Sequence, residues 1–303
     1  MTDWTATDVD LRRRSEERRR IHVRLGSEEH KALFCRALLQ TFNPYKPAVI
    51  DWPPLEEEVL QRLTSLPIWD IAVQTEEKAS RRVKAYAEIV SDPLLREAIE
   101  LNAFEEARHR HVLANLVSAY GIKLAPETAY RTPRDTEWAF MVTGFSECVD
   151  SFFAFGLFEL ARRTGYFPAA LVDTFEPVIH EEGRHILFFV NWVEWRRRRL
   201  SILQRLWFDL RVAAVWVFLA WERLAVVQQM DGEGATPQDN NFTVTGTKAV
   251  GVDVTLRGLI DVCLAENDRR LGAYDHRLVR PKFIPNLVRM IRRFLPQTAA
   301  PAA

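Results

Sequence analysis

The chain has 303 residues, 48% of them hydrophobic and 27% charged, the balance of an ordinary soluble globular protein. Lysine plus arginine equals aspartate plus glutamate at 41 each, so no global field calls for nucleic acid or an acidic partner. Three scattered cysteines, Cys35, Cys148 and Cys263, argue against a disulfide framework and fit a reducing compartment. The polar, arginine-rich start shows no apolar leader core, so a cytoplasmic location is expected.

Glycine is sparse and strand-like alternation almost absent, which predicts an all-α fold. Residues 1–25 read as a flexible N-terminal segment. Their basic run Arg12–Arg20 is broken by Glu16 and Glu17 and suits a solvated face better than a nucleic-acid arm. Ser27 ahead of Glu28 and Glu29 marks a helix start, and the prolines of 43–54 mark a loop before a short helix at about 55–65. Four long helices follow, over about Pro67–Val90, Pro93–Tyr120, Asp135–Thr164 and Pro168–Arg198, with Pro67 suited to a first helical position and Gly165 to a helix end.

A fifth apolar helix is expected over about 200–229. Its uncharged run Val212–Trp221 is too short for a bilayer, which takes about 20 apolar residues, and reads as buried; membrane contact through its tryptophans is the weaker reading. Residues 231–251, rich in Gly, Asn, Asp and Thr, read as a long loop, either disordered or a lid. Helices at about 253–271 and 283–294 complete the chain, the last one basic and amphipathic, packing on the body or on a second subunit. The domains expected are the flexible segment 1–25, a helical bundle with its N-terminal helices over 26–200, and a helical extension over 201–303 packed on it.

The chemistry sits in two runs, Glu106-Ala-Arg-His109 and Glu182-Gly-Arg-His185, 76 residues apart. Residues i and i+3 leave a helix on nearly one face, about 4.5 Å apart along the axis. Each run therefore offers a carboxylate and an imidazole to one point. On the first long helix Glu76 lies on the apolar stripe of Ala72, Ala79 and Val83, while Glu77 falls about 100° away. On the third, the seam Phe140, Gly144, Glu147, Ser151 places Glu147 inward. Asp150 shares that face as the alternative ligand or as an acceptor for a histidine N–H. Glu105, Glu181, His111 and His180 fall off these seams; His111 reads as a surface histidine and His180 as surface or loosely buried.

Four carboxylates on inward seams cannot stay ionised in a bare core, because each unpaired charge costs several kcal/mol to bury. Two divalent cations balance four carboxylates with two neutral imidazoles, and an oxygen and imidazole donor set suits iron or manganese. In these residues the chain resembles the ferritin-like di-iron carboxylate superfamily, over about Ile68–Trp195. The resemblance implies a ferritin-like four-helix bundle with extra N- and C-terminal helices. It also implies Glu76, Glu106, His109, Glu147, Glu182 and His185 as catalytic metal ligands, with Glu106 and Glu182 bridging. Leu113 stands one turn after the first histidine, where the radical-generating ribonucleotide reductase subunit carries its tyrosine, so a tyrosyl radical is not implied.

The expected activity is a non-haem di-iron oxidase or oxygenase holding two irons, with Mn/Fe as the alternative pair. It would use O2 as co-substrate, an external electron donor and a small, apolar organic substrate. Ferroxidase, peroxide-scavenging or iron-storage roles stand as the alternative. Nucleic acid is not an expected partner, a homodimer is left open, and membrane contact is disfavoured.

Overall fold

The computed structural model describes residues 23–66, 68–124, 126, 130–230 and 255–296, with Arg223–Met230 described by their backbone alone. Residues 1–22 of the expected flexible start, the first-turn Pro67 and the whole expected loop over 231–251 lie outside the described residues.

Every regular element among the described residues is helical. The α-helices are α1 (Glu28–Gln40), α2 (Glu57–Thr64), α3 (Trp69–Ile89), α4 (Pro93–Ala119), α5 (Thr136–Thr164), α6 (Ala169–Thr174), α7 (Glu176–Arg199), α8 (Ile202–Met230), α9 (Leu256–Gly272) and α10 (Phe283–Phe294). Side-chain oxygens of Ser27, Asp92, Asp135 and Thr255 take up a first-turn N–H of α1, α4, α5 and α9. Gly165 closes α5 with φ 64°, a left-handed turn that a Cβ would strain.

The expected single helix over 168–198 is two helices. Pro177 in the first turn of α7 has no N–H to give the carbonyl of Asp173, and its ring crowds that turn, so α6 stops at Thr174.

Four helices, α3, α4, α5 and α7, form the bundle around the candidate site. α3 and α4 pair along their length, α3 also packs on α5, and α5 on α7. α1 lies over α4 and α7, while α8, α9 and α10 all pack against α5. Two close approaches fix this packing. A Cβ on Gly144 would stand 2.2 Å from the Phe189 ring of α7, and one on Gly156 would stand 2.3 Å from Cys263 Sγ of α9.

α5 is long and apolar enough to cross a membrane by length and composition, but 67% of its most apolar window is buried inside the protein. It is hydrophobic because neighbours cover it on several sides. α8 departs from expectation in the other direction. Phe208, Val215 and Leu219 are buried, yet Trp207, Val217 and Trp221 are 64–70% exposed, so this helix buries one face and leaves the other to solvent.

Candidate metal centre

α3 contributes Glu76, α4 Glu106 and His109, α5 Glu147, and α7 Glu182 and His185. One donor atom from each of Glu106, His109, Glu182 and His185 falls within 4.8 Å of the others. His109 Nδ1 lies 3.2 Å from Glu182 Oε1, 3.7 Å from Glu76 Oε2 and 3.9 Å from Glu106 Oε2. His185 Nδ1 lies 2.8 Å from Glu106 Oε1. The imidazoles stand 5.6 Å apart between ring centres.

Neither Nδ1 has a hydrogen-bond partner, although both are buried, and Glu147 Oε1 is buried and unpartnered as well. Orphaned buried polar atoms are costly and uncommon. Here they turn toward a cluster of carboxylate oxygens, so a cation placed among them satisfies both imidazoles and carboxylates. The residues fit a dinuclear metal group.

Around these six lies a crossed arrangement that their seams do not reveal. His109 Nε2 meets Glu181 Oε2 at 2.9 Å, and His185 Nε2 meets Glu105 Oε2 at 2.8 Å. Glu181 also accepts from Arg108 and from Tyr45 Oη at 3.2 Å, while Glu105 accepts from Arg184 Nη1 at 2.9 Å. Each motif thus reads Glu-Glu-x-Arg-His, over 105–109 and 181–185. The first glutamate of each holds the histidine of the other. With Nε2–H donated outward, each Nδ1 presents its lone pair to the cluster.

Glu105 and Glu181, expected to point away from the inward seams, are fully buried. The position beside an inward residue is also interior when a further element covers it, and here α1 and the loop after it lie over α4 and α7. The signal was in the sequence as the duplicated five-residue motif.

Burial raises Glu76 to about 8, with the charges of Glu106 and Glu182 adding to it. It likewise raises Glu147 well above the usual carboxylate range, again with Glu106 and Glu182 adding. Burial opposes ionisation of Glu182 too, but His109 and the Ser151 hydroxyl, 2.9 Å away, hold it below the ordinary value. Burial works against charge on both imidazoles; the surrounding carboxylates overcome it and raise both. Without a metal, the cluster keeps protons where cations would sit.

The expected alternative ligand, Asp150, is exposed and accepts from Ser146 Oγ at 2.8 Å, so it is not brought into the cluster. His111 and His180 are exposed, the latter beside Tyr274 Oη at 3.0 Å. Of the phenylalanines flanking the ligands in sequence, Phe152, Phe155, Phe188 and Phe189 are core, at 0–2% exposure, and Phe153 and Phe158 are half-buried.

The Rubrerythrin family model matches residues 68–151. That stretch spans α3, α4 and the first half of α5, and contains Glu76, Glu106, His109 and Glu147. The likeness to the ferritin-like di-iron superfamily therefore rests on both a family match and a Glu/His cluster in an all-α bundle. Neither the curated proteins nor the solved structures give a match.

Proposed function

We propose that this chain is a non-haem di-iron oxidase or oxygenase that oxidises a small organic substrate. Glu76, Glu106, His109, Glu147, Glu182 and His185 would hold the metal pair. The observation that carries the reading is the pair of buried, unpartnered Nδ1 atoms aimed at carboxylates on helices supplied in the 4:2 ratio that two divalent cations neutralise. Bound iron, or a manganese–iron pair, would supply O2 activation and oxidising equivalents.

The chain's own residues bind, orient and exclude water. Glu105 and Glu181 fix the imidazoles, and Arg184 and Arg108 hold those glutamates in turn. The side chains of Glu106, His109 and His185 are 0–2% exposed, whereas Glu76 is 20% and Glu182 13% exposed. A substrate therefore approaches from the Glu76 and Glu182 side. The other side is sealed by the crossed glutamates and by the loop carrying Tyr45. An external donor supplies electrons. Three buried free cysteines among the described residues accord with a reducing cytoplasm.

A second reading, peroxide scavenging or ferroxidase action, is favoured by the Rubrerythrin match over 68–151. Stoichiometry separates the two. An oxygenase consumes O2 in proportion to an organic product, a ferroxidase in proportion to Fe(II), and a scavenger removes peroxide without either.

The test begins with protein purified without added metal, analysed for metal content, then reduced and mixed with O2. About two metals per chain and an O2-dependent optical change are expected. Glu106→Ala and His185→Ala should each abolish the change while helical circular dichroism persists. Full retention in both variants overturns the reading.

A further inference from the structure

α8 is apolar on both faces. Inward, Phe208, Val215 and Leu219 are 0–3% exposed and seat the helix on the bundle. Outward, Leu203, Leu206, Trp207, Leu210, Val217 and Trp221 are 57–79% exposed. Ala213, Ala214 and Ala220 are exposed between them, so from Leu206 to Trp221 every exposed residue is apolar. The charges of this stretch turn to the body. Asp209 pairs with Arg197 at 2.6 Å, and Arg211 with Asp135 and Glu137 at 2.7 and 2.8 Å. A helix that is hydrophobic all round is ordinarily covered all round.

We propose that this face is the interface of a homodimer in which α8 of one copy lies antiparallel against α8 of a second copy. The spacing supports a helical occupant. The outward residues recur every seven positions, as Leu203, Leu210 and Val217, as Leu206, Ala213 and Ala220, and as Trp207, Ala214 and Trp221. Such a repeat keeps one seam facing a partner helix over its whole length.

The size also fits. The exposed portions of these side chains come to on the order of 1,000 Å² per copy, beyond the few hundred that a monomer ordinarily leaves bare. Two copies would cover roughly 1,600–2,000 Å², the range of a stable dimer.

The pattern is self-complementary in the antiparallel sense that a two-fold axis requires. With the axis near Val212, Trp207 meets Val217, Leu210 meets Ala214, and Leu203 meets Trp221. Large groups thus face smaller ones, and the alanines beside the axis let the helices approach. Parallel pairing would instead set Trp207 on Trp207 and Trp221 on Trp221. A lipid surface suits the face less well, because helices that lie on membranes carry lysines and arginines along the water side of the apolar stripe. Between Leu206 and Trp221 the one arginine, Arg211, is consumed by internal ion pairs.

Sedimentation equilibrium of the full chain is the primary test, with anionic phosphatidylglycerol vesicles as the competing occupant. The wild type should sediment as a dimer and Leu210→Glu as a monomer, with helical circular dichroism and metal content alike in both. Single cysteines give the register, since the described native cysteines are all buried. Ala213→Cys beside the axis should cross-link on oxidation, and Leu203→Cys should not.

A monomeric wild type overturns the proposal, whether the face then binds vesicles or is covered by the chain's own residues 231–254. Cross-linking at Leu203 overturns the antiparallel arrangement. Should Val217→Glu also leave the dimer intact, a dimer that survives Leu210→Glu assembles elsewhere and the proposal fails.

Discussion

Glu181 shows how much a residue outside the ligand set controls. It takes the Nε2–H of His109 and the guanidinium of Arg108, and both it and His109 are buried. Removing such a partner commonly weakens a metal site about 10–100-fold. Glu181→Ala should lower metal affinity by that order in a chelator competition, and Glu105→Ala should do the same through His185. A variant that bound metal as tightly as the wild type would show that the crossed carboxylates do not orient the imidazoles.

His30 offers a separate residue-scale prediction. Its Nδ1 accepts from Gly26 N at 3.2 Å and its Nε2 meets Asn191 Oδ1 at 2.9 Å, an oxygen that also takes the N–H of Val279. Burial lowers its pKa below the ordinary 6.5. A depressed folded value means the neutral ring stabilises the fold. That contribution is complete above about pH 6.5 and is lost as pH falls from there through the folded pKa. The melting temperature should therefore drop more steeply below pH 6.5 in the wild type than in His30→Gln. Equal slopes would remove His30 from the account.

At the scale of elements, two helix contacts depend on the absence of a side chain. Gly156 faces Cys263, and an added Cβ would sit 2.9 Å from the Cys263 Cα, backbone that cannot rotate away. Gly156→Ala should push α9 from α5 and destabilise the protein by about 1–3 kcal/mol, read by denaturant unfolding. Gly144→Ala meets the Phe189 ring, itself packed on Phe140 and Phe145, so repacking is hindered there too.

Such contacts were not legible in the chain, because a glycine within a helical pattern announces neither its partner nor its reason. The helices themselves were legible, since apolar periodicity and capping residues are local. The break at Phe175 was written in Pro177 but outweighed by a continuous apolar seam. Glu105 and Glu181 were hidden for a related reason. A seam drawn for one helix against a bundle axis marks one line of inward positions, and a further helix laid across the bundle, as α1 is over α4 and α7, makes a second line interior. The same one-sided logic misread α8, whose composition suggested full burial although the chain covers a single face.

For the whole molecule, the charged cluster sits at the junction of four helices, α3, α4, α5 and α7. Metal that binds only the folded chain adds RT ln(1 + [metal]/Kd), about 2.7 kcal/mol at one hundred times Kd. Chelation should lower the melting temperature by several degrees. The Glu106→Ala variant should melt at one temperature with or without chelator. α5 links this centre to the rest of the molecule. It carries Glu147, packs on α3 and α7, and takes α8, α9 and α10 against its other sides.

The crossed glutamates have a consequence for anyone who would miniaturise the site. Each half of the bundle carries a complete-looking binding motif, yet the anchor that aims its ring is borrowed from the other half. A peptide cut to either hairpin would keep its donors and lose their aim. The smallest autonomous version of this centre is the intertwined pair.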